Sequence, residues 1–364
     1  MESTKTGQLG SVLVTGGCDF VGFHIVRHFL SEPSCTSVSV ISRNPKRNRL
    51  PNVSYYAGDV SDLFTMRTLI RQICPSIIVH AACPTATIAS AKEFELVTIQ
   101  GTRNLLTVAS EIESVKAFIF TSSATMAAGP EHINLSENTA LADTSPESHP
   151  YAKTKAQADK MVLETNSPGI RTASIRLPLV YGERDLIAIP AALRALEKGQ
   201  ARFQLGDGSN LWSFASADNA ASAHVLLTRR LMAPNGPKVD GEAFNITDGQ
   251  SHLFWDFPRT VWKAAGHEVD TDQVWVLPTW AALKIAFLME WLFWIFTLGV
   301  KRPGQLSKQQ VELCCFTHTY CIDKAKERLG YAPTGDFSEG IHQAVAWLSR
   351  EGLWTSAMEK KKRQ

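Results

Sequence analysis

The stretch TGGCDFVG at 15–22 limits the fold more than any other part of the chain. An apolar run, Val12–Thr15, leads into it, and a helix-patterned stretch, Phe20–Leu30, leads out. A strand that turns through glycines into a helix N-terminus aims backbone N–H groups at one spot, where the helix dipole favours negative charge. Such a turn suits a phosphate. Gly16 lets the chain reverse, and Gly22 lets helix and strand approach closely.

The same alternation continues. Apolar runs at 38–41, 53–56, 77–80, 117–120 and 172–175 predict strands. Helix-like stretches near 62–73, 94–110 and 151–165 separate the later ones. Short apolar runs between helices predict βαβ units and a parallel sheet, an α/β fold. After Tyr181 the pattern weakens, which predicts a smaller and less regular region. With 364 residues, 44% hydrophobic and 20% charged, the chain can bury a large core. Its net charge of +2 gives no electrostatic case for nucleic acid. The seven cysteines (Cys18, Cys35, Cys74, Cys83, Cys314, Cys315 and Cys321) show no zinc-type spacing and read as reduced, intracellular thiols. The polar N-terminus has no signal-peptide pattern, so export by that route is not expected.

At the end of a second strand in this layout, a carboxylate selects the unphosphorylated ribose of NAD. Here Ser42 and Arg43 stand at that turn, with Lys46, Arg47 and Arg49 beyond. A 2′-phosphate fits better, so NADP is preferred and NAD remains open. The alternative is a solvated basic loop. Asp19 is anomalous, because it fills the middle glycine of T-G-x-x-G-x-x-G. A carboxylate about 4 Å from a pyrophosphate costs roughly 4 kcal/mol at an effective dielectric of about 20. Turning to solvent or pairing with a basic residue would relieve it. Asp59, after the third strand, either meets adenine or caps a turn. Ala81 and Ala82, after His80, leave room for a cofactor against the backbone.

Tyr151 and Lys155 lie four apart, on one helix face. A lysine ammonium and an oxidised nicotinamide both favour a phenolate, so the tyrosine is expected to trade protons below its free pKa of about 10. Alone, the pair is a common coincidence. Ser123, at the carboxyl end of the fifth strand, gives it weight, since ligands bind at that edge and its hydroxyl can hold a substrate oxygen. No zinc-protease, nucleophile-elbow or Walker pattern occurs, and no metal site is expected. His24 and His28, at helical spacing, read as packing and surface residues.

The apolar segment 277–300 carries Lys284 and Glu290. Three placements fit: a membrane span, a helix lying in the membrane interface, or a core helix or lid. The basic end, 359–364, either touches anionic lipid or is a solvated terminus, and its KKRQ matches a two-lysine retrieval pattern.

Taken together, these motifs resemble the extended short-chain dehydrogenases, and within them the 3β-hydroxysteroid dehydrogenase group that includes sterol-4α-carboxylate 3-dehydrogenases. IQGTRNLL at 99–106, SIRLPLVYGERD at 174–185, LGDGSNLWSFASADNAASAHVLL at 205–227, GEAFNITDGQSHLFWDFPRTVWKAAGH at 241–267 and KAKERLGYAP at 324–333 carry the likeness. It implies a doubly wound, Rossmann-type domain at 1–180, with later strand contributions from 205–250, and a substrate lobe at 181–364. It implies Ser123, Tyr151 and Lys155 as catalytic residues. Cofactor contacts are implied at Gly16, Gly17, Phe20, Val21, Gly22, Asp59, Val60, Ala81, Ala82, Tyr151, Lys155 and Pro178, with Ser42 and Arg43 nearby. The implied reaction is hydride transfer at the 3-hydroxyl or 3-ketone of a steroid, triterpenoid or meroterpenoid, with or without decarboxylation at the adjacent carbon. The resemblance further implies a hydrophobic substrate and an endoplasmic-reticulum or cytoplasmic location; peripheral membrane contact and a homodimer are compatible with it, and neither follows from the residues. Asp19, Thr98, Leu177 and Ser213 depart from the group's pattern. Two other functions stay open: a cofactor-retaining isomerase or epimerase, and a non-catalytic lipid- or partner-binding relative.

Overall fold

The computed structural model describes residues 8–86, 89–142, 148–233, 235–297 and 307–354. The basic terminus 359–364 and the end of the apolar segment, 298–300, lie outside the described residues.

The sheet-forming half opens with β1 (Gly10–Thr15), α1 (Phe20–Leu30), β2 (Cys35–Ser42), β3 (Val53–Ala57), α2 (Leu63–Ile73) and β4 (Ile77–His80). Next come α3 (Ala91–Phe94), a π-helical turn at Glu95–Gln100, α4 (Gly101–Glu111), β5 (Ala117–Ser123) and β6 (His132–Leu135). Then follow α5 (Pro150–Glu164), β7 (Arg171–Leu177), β8 (Leu179–Tyr181), α6 (Ala188–Glu197), β9 (Phe203–Leu205), β10 (Leu211–Ser216), α7 (Ala217–Met232) and β11 (Glu242–Asn245). The rest is β12 (Ser251–Leu253), α8 (Asp256–Ala264), β13 (Trp275–Leu277), α9 (Thr279–Thr297), α10 (Lys308–Cys315), β14 (His318–Tyr320), α11 (Asp323–Leu329) and α12 (Phe337–Arg350).

Among the described residues, seven strands form one sheet in the order β11-β7-β5-β4-β1-β2-β3, and every pairing is parallel. The order reverses between β1 and β4, the switch point where such sheets bind ligands. Helices cover both faces. Ile25, Val26 and Phe29 of α1 join Ala220, Leu227 and Leu231 of α7 against one face. Met66 and Ile70 of α2, Leu105 and Val108 of α4, and Ala158 and Val162 of α5 cover the other. Double coverage explains why β4 and β5 are apolar without alternation: every residue of both is buried.

Local signals set the helix ends. Asp62 caps α2 by accepting from the N–H groups of Phe64 and Thr65. Pro150 occupies the first turn of α5, where its missing N–H costs nothing. The helix expected at 94–110 is three elements. Ser90 and Glu93 form a capping box that starts it at Ala91, and the π-turn interrupts it.

The smaller lobe gathers α6, α8, α12 and the second sheet around a core containing Tyr181, Leu193, Trp212, Phe214, Val261 and Leu348. The apolar segment forms α9, and its core-helix reading is overturned, since only 11% of Thr279–Phe296 is buried. Ala282 and Ala286, fully buried, pack on Val311 of α10, while Trp280 is 65%, Trp294 63% and Phe296 82% exposed. Small residues face the lobe and large apolar ones face outward.

Candidate active site

At the switch point, β1 delivers Thr15 into the glycine turn. Gly16 adopts φ +73°, and a Cβ there would come within 2.7 Å of the Ala82 backbone. A Cβ on Gly22 would sit 2.1 Å from the Gly16 carbonyl oxygen, and one on Gly17 would meet the Val40 side chain at 2.7 Å. Bare backbone is therefore required, and what remains is a cradle fronted by the N-terminus of α1, with Phe20 and Val21 in its first turn. A dinucleotide's pyrophosphate fits this cradle. Ala81 donates its N–H to the Thr15 carbonyl at 3.1 Å, which fixes the 81–82 segment beside the turn.

Asp19 is the N-cap of α1, and its carboxylate makes no capping bond. It is exposed at the mouth of the cradle. Crowding by the protein raises its pKa, and the charges of Arg43 and Arg47 pull it back down. Of the two reliefs expected for this carboxylate, the structure thus offers both accessibility and basic neighbours. Ser42 lies beside the Cys18 thiol, while Arg43, Lys46, Arg47 and Arg49 are exposed on the following loop. Asp59 accepts from the Ser61 N–H at 2.9 Å and from its hydroxyl at 2.8 Å, so one carboxylate oxygen closes a turn. Val60 is buried; its side chain would meet a Cβ on Gly101 at 2.7 Å, and its carbonyl accepts from Asn104 at 3.0 Å. Pro178 separates β7 from β8.

The proposed catalytic residues converge. β5 ends at Ser123, whose hydroxyl hydrogen-bonds Thr125 Oγ1 at 2.8 Å and lies beside the phenol of Tyr151. The Tyr151 ring packs edge-on against Phe94, 5.8 Å between centroids. The protein's own surroundings act the other way: burial raises the Tyr151 pKa, nearby Cys83 adds to this, and Ser123 only partly offsets it. Lys155 is buried, donates to the Thr121 carbonyl at 2.7 Å, and lies 4.5 Å from the centre of the Phe120 ring.

Behind the pair runs a polar chain that sequence reading missed. Thr15 Oγ1 meets His80 Nδ1 at 2.7 Å, and His80 Nε2 meets Thr102 Oγ1 at 3.2 Å. Thr102 donates to the Thr98 carbonyl at 2.5 Å. Burial, with the Lys155 charge second, pushes the His80 pKa down to about 3, so the imidazole is neutral. The Thr98 hydroxyl, on the π-turn, is buried without a partner among the described residues. Elsewhere, His24 and His28 both contact Asp218 of α7, His28 Nε2 at 2.9 Å, so they clamp two helices together. Among the described residues no cluster of three metal-ligating side chains occurs.

A family model for the 3-beta hydroxysteroid dehydrogenase/isomerase family matches residues 13–279. The chain belongs to this family. It is an NAD(P)-dependent oxidoreductase on a short-chain dehydrogenase fold. A decarboxylating sterol-4-alpha-carboxylate 3-dehydrogenase of Schizosaccharomyces pombe is 32% identical over 350 residues, spanning 94% of this chain and 98% of the relative. The Saccharomyces cerevisiae enzyme of the same name is 31% identical over 357 residues, covering 95% of this chain and 99% of its own. Among solved structures, the UDP-glucose 4-epimerase of Thermotoga maritima with UDP-glucose superposes at a TM-score of 0.70 with 21% identity, over 94% of this chain and all of that one. The Bordetella bronchiseptica enzyme WbmG, solved with NAD and UDP, gives a TM-score of 0.68 at 18% identity over 97% of both chains. At these identities the structural likeness is one of fold.

Within the hydroxysteroid dehydrogenase family, this member's departures now have surroundings. Leu177 is core, and its carbonyl accepts from Ser123 at 3.4 Å. Ser213 is buried, pairs with Ser251 at 3.2 Å and accepts from the Tyr320 N–H at 3.3 Å, tying β10 to β12 and β14.

Proposed function

We propose that this protein oxidises the 3-hydroxyl of a sterol or related triterpenoid that carries a carboxylate on the adjacent carbon, with NADP as preferred cofactor. One observation carries the chemistry: a half-buried tyrosine whose phenol lies beside the Ser123 hydroxyl at the sheet edge, next to the glycine cradle. The names of the sterol dehydrogenase relatives support the substrate and the direction. When bound, the cofactor supplies a hydride acceptor with a positively charged ring, which favours an ionised phenol next to it. Ser123 holds the substrate oxygen. Tyr151 takes the hydroxyl proton as carbon 3 gives up its hydride. Lys155, fixed on the Thr121 carbonyl, places positive charge behind the site. The 3-ketone so formed is a β-keto acid. Its carboxylate leaves as carbon dioxide, the bonding electrons pass into an enolate, and a proton from solvent completes the product.

Ser42, Arg43 and Arg47 support the NADP preference, since no carboxylate stands at the end of β2 to reject a 2′-phosphate. The exposed apolar face of α9 supports a position on a membrane surface, where a sterol would be found. Ala282 and Ala286 fasten α9 to the lobe and Glu290 accepts from the Lys308 N–H at 2.8 Å, which supports a helix lying on the body with its exposed aromatic end toward lipid rather than one crossing a bilayer.

The test is turnover of a 4-carboxy-3β-hydroxysterol followed at the nicotinamide absorbance band. Wild type should generate reduced cofactor and carbon dioxide in equal amounts. Tyr151→Phe should lose about 10²- to 10⁴-fold in kcat while binding cofactor as before. Undiminished turnover by Tyr151→Phe would refute the assignment.

A further inference from the structure

The basic loop 43–50 follows β2, and its placement does not come from β2 alone. Asn48, at φ +50°, donates from Nδ2 to the Cys18 carbonyl inside the glycine turn at 2.9 Å. Its Oδ1 accepts from Arg184 at 2.6 Å. Arg184 lies 136 residues away, in the segment after β8, and it too has a positive φ, +72°. Its guanidinium stacks 4.0 Å from the centre of the Phe23 ring of α1 and 5.4 Å from that of Trp347 of α12. The same segment is gripped twice more. His24 Nε2 meets the Glu183 carbonyl at 2.8 Å, and Arg350 reaches the Glu183 carboxylate at 3.3 Å.

Two non-glycine residues in the left-handed region, meeting through one short hydrogen bond, indicate a connection that packing enforces. The loop's other tether, Leu50 N–H to the Tyr55 hydroxyl at 2.7 Å, lies at its far end. Between the end of β2 and the Asn48 tether, Arg43, Lys46 and Arg47 remain exposed. An exposed five-residue basic stretch pays an ordering cost whenever it grips an anion, and a tether made in advance removes part of that cost.

We infer that Asn48 and Arg184 form a strap from the substrate lobe to the glycine turn, and that this strap pre-positions the basic loop for the 2′-phosphate of NADP. The inference rests on the NADP reading above. Both are positioning residues, acting on the cofactor through the basic loop and not on the reacting atoms.

Dissociation constants of NADPH and NADH for the full-length protein, by nicotinamide fluorescence, test it. Glycine adopts φ +50° without strain, so Asn48→Gly deletes the contacts alone. Asn48→Gly should weaken NADPH about tenfold and NADH less than about threefold, with kcat at saturating NADP unchanged. Arg184→Gly should do the same, and the double variant should be no worse than either single one, because the two act as one unit. Asn48→Asp, which keeps an acceptor for Arg184 but offers Cys18 no donor, should recover only part of the loss. Equal losses for NADPH and NADH, or strictly additive single effects, would overturn the strap while leaving the NADP assignment standing. A wild-type protein that binds NADH as tightly as NADPH would remove the NADP assignment and the strap's role with it.

Discussion

A carboxylate at the mouth of a phosphate cradle is tolerable only if its charge is compensated. Asp19 is open to solvent, and the charges of Arg43 and Arg47 act on it. Those arginines then serve two anions, the carboxylate and a cofactor phosphate. Asp19→Asn releases them and removes a like charge from the pyrophosphate's approach. It should tighten cofactor about tenfold at low salt, with the gain shrinking as salt rises. Isothermal titration at two ionic strengths checks this, and an affinity indifferent to the substitution would place the side chain away from the phosphates. Position 151 shows what residue-level reading leaves out. The spacing to Lys155 was visible, but the burial and the Cys83 thiol that raise the phenol's pKa were not, because both come from chain segments remote from the helix.

Elements were more legible than their interruptions. The runs at 77–80 and 20–30 match β4 and α1 because both are short, apolar and bounded by turn residues. The break at Glu95–Gln100 was hidden, since a π-turn leaves hydrophobic periodicity nearly intact. Ser90 and Glu93 did announce the true start of α3 through their capping-box spacing, a signal the periodicity overshadowed. The strap was out of reach altogether, because nothing in the neighbourhood of Asn48 points to a residue 136 positions on. For α9, composition left three placements, and only tertiary packing showed which face is spent on the lobe. Its outward aromatic end should bind vesicles. The protein is expected to float with phosphatidylcholine–phosphatidylserine liposomes, and replacing Trp294 and Phe296 together with glutamate should cut flotation at least about tenfold without lowering the melting temperature. Equal flotation of that variant would show that lipid is held elsewhere.

At the scale of the whole molecule, the sequence conveyed the parallel sheet and where its first five strands fall along the chain, with the glycine and serine motifs at strand carboxyl ends and Tyr151 at the start of a helix. It did not convey the buried polar groups that the fold must carry. His80 and His318 have pKa values pushed down to about 3, and His224 to about 4, burial being the first cause in each. All three fall below the unfolded value of about 6.5. The fold keeps these rings neutral, so the stability involved is complete above that pH. It is lost as pH falls toward 3–4, because the unfolded chain takes up protons that the native state refuses. Each ring can contribute a slope of up to about 1.4 kcal/mol per pH unit. Melting temperature should therefore fall from pH 7 to pH 5, and His318→Asn should flatten the fall. A melting temperature constant across that interval would contradict the neutral assignment.

The sheet's last strand, β11, pairs with β7 only after α6, α7 and three strands of the lobe have intervened. A nascent chain leaving the ribosome therefore cannot close its nucleotide-binding layer when residue 180 emerges. Until Asn245 is made, β7 presents a raw edge, and the α1 face lacks the cover that α7 brings. The two halves of the molecule must mature together, and chaperones would meet this chain as one long unfinished unit rather than as two successive ones.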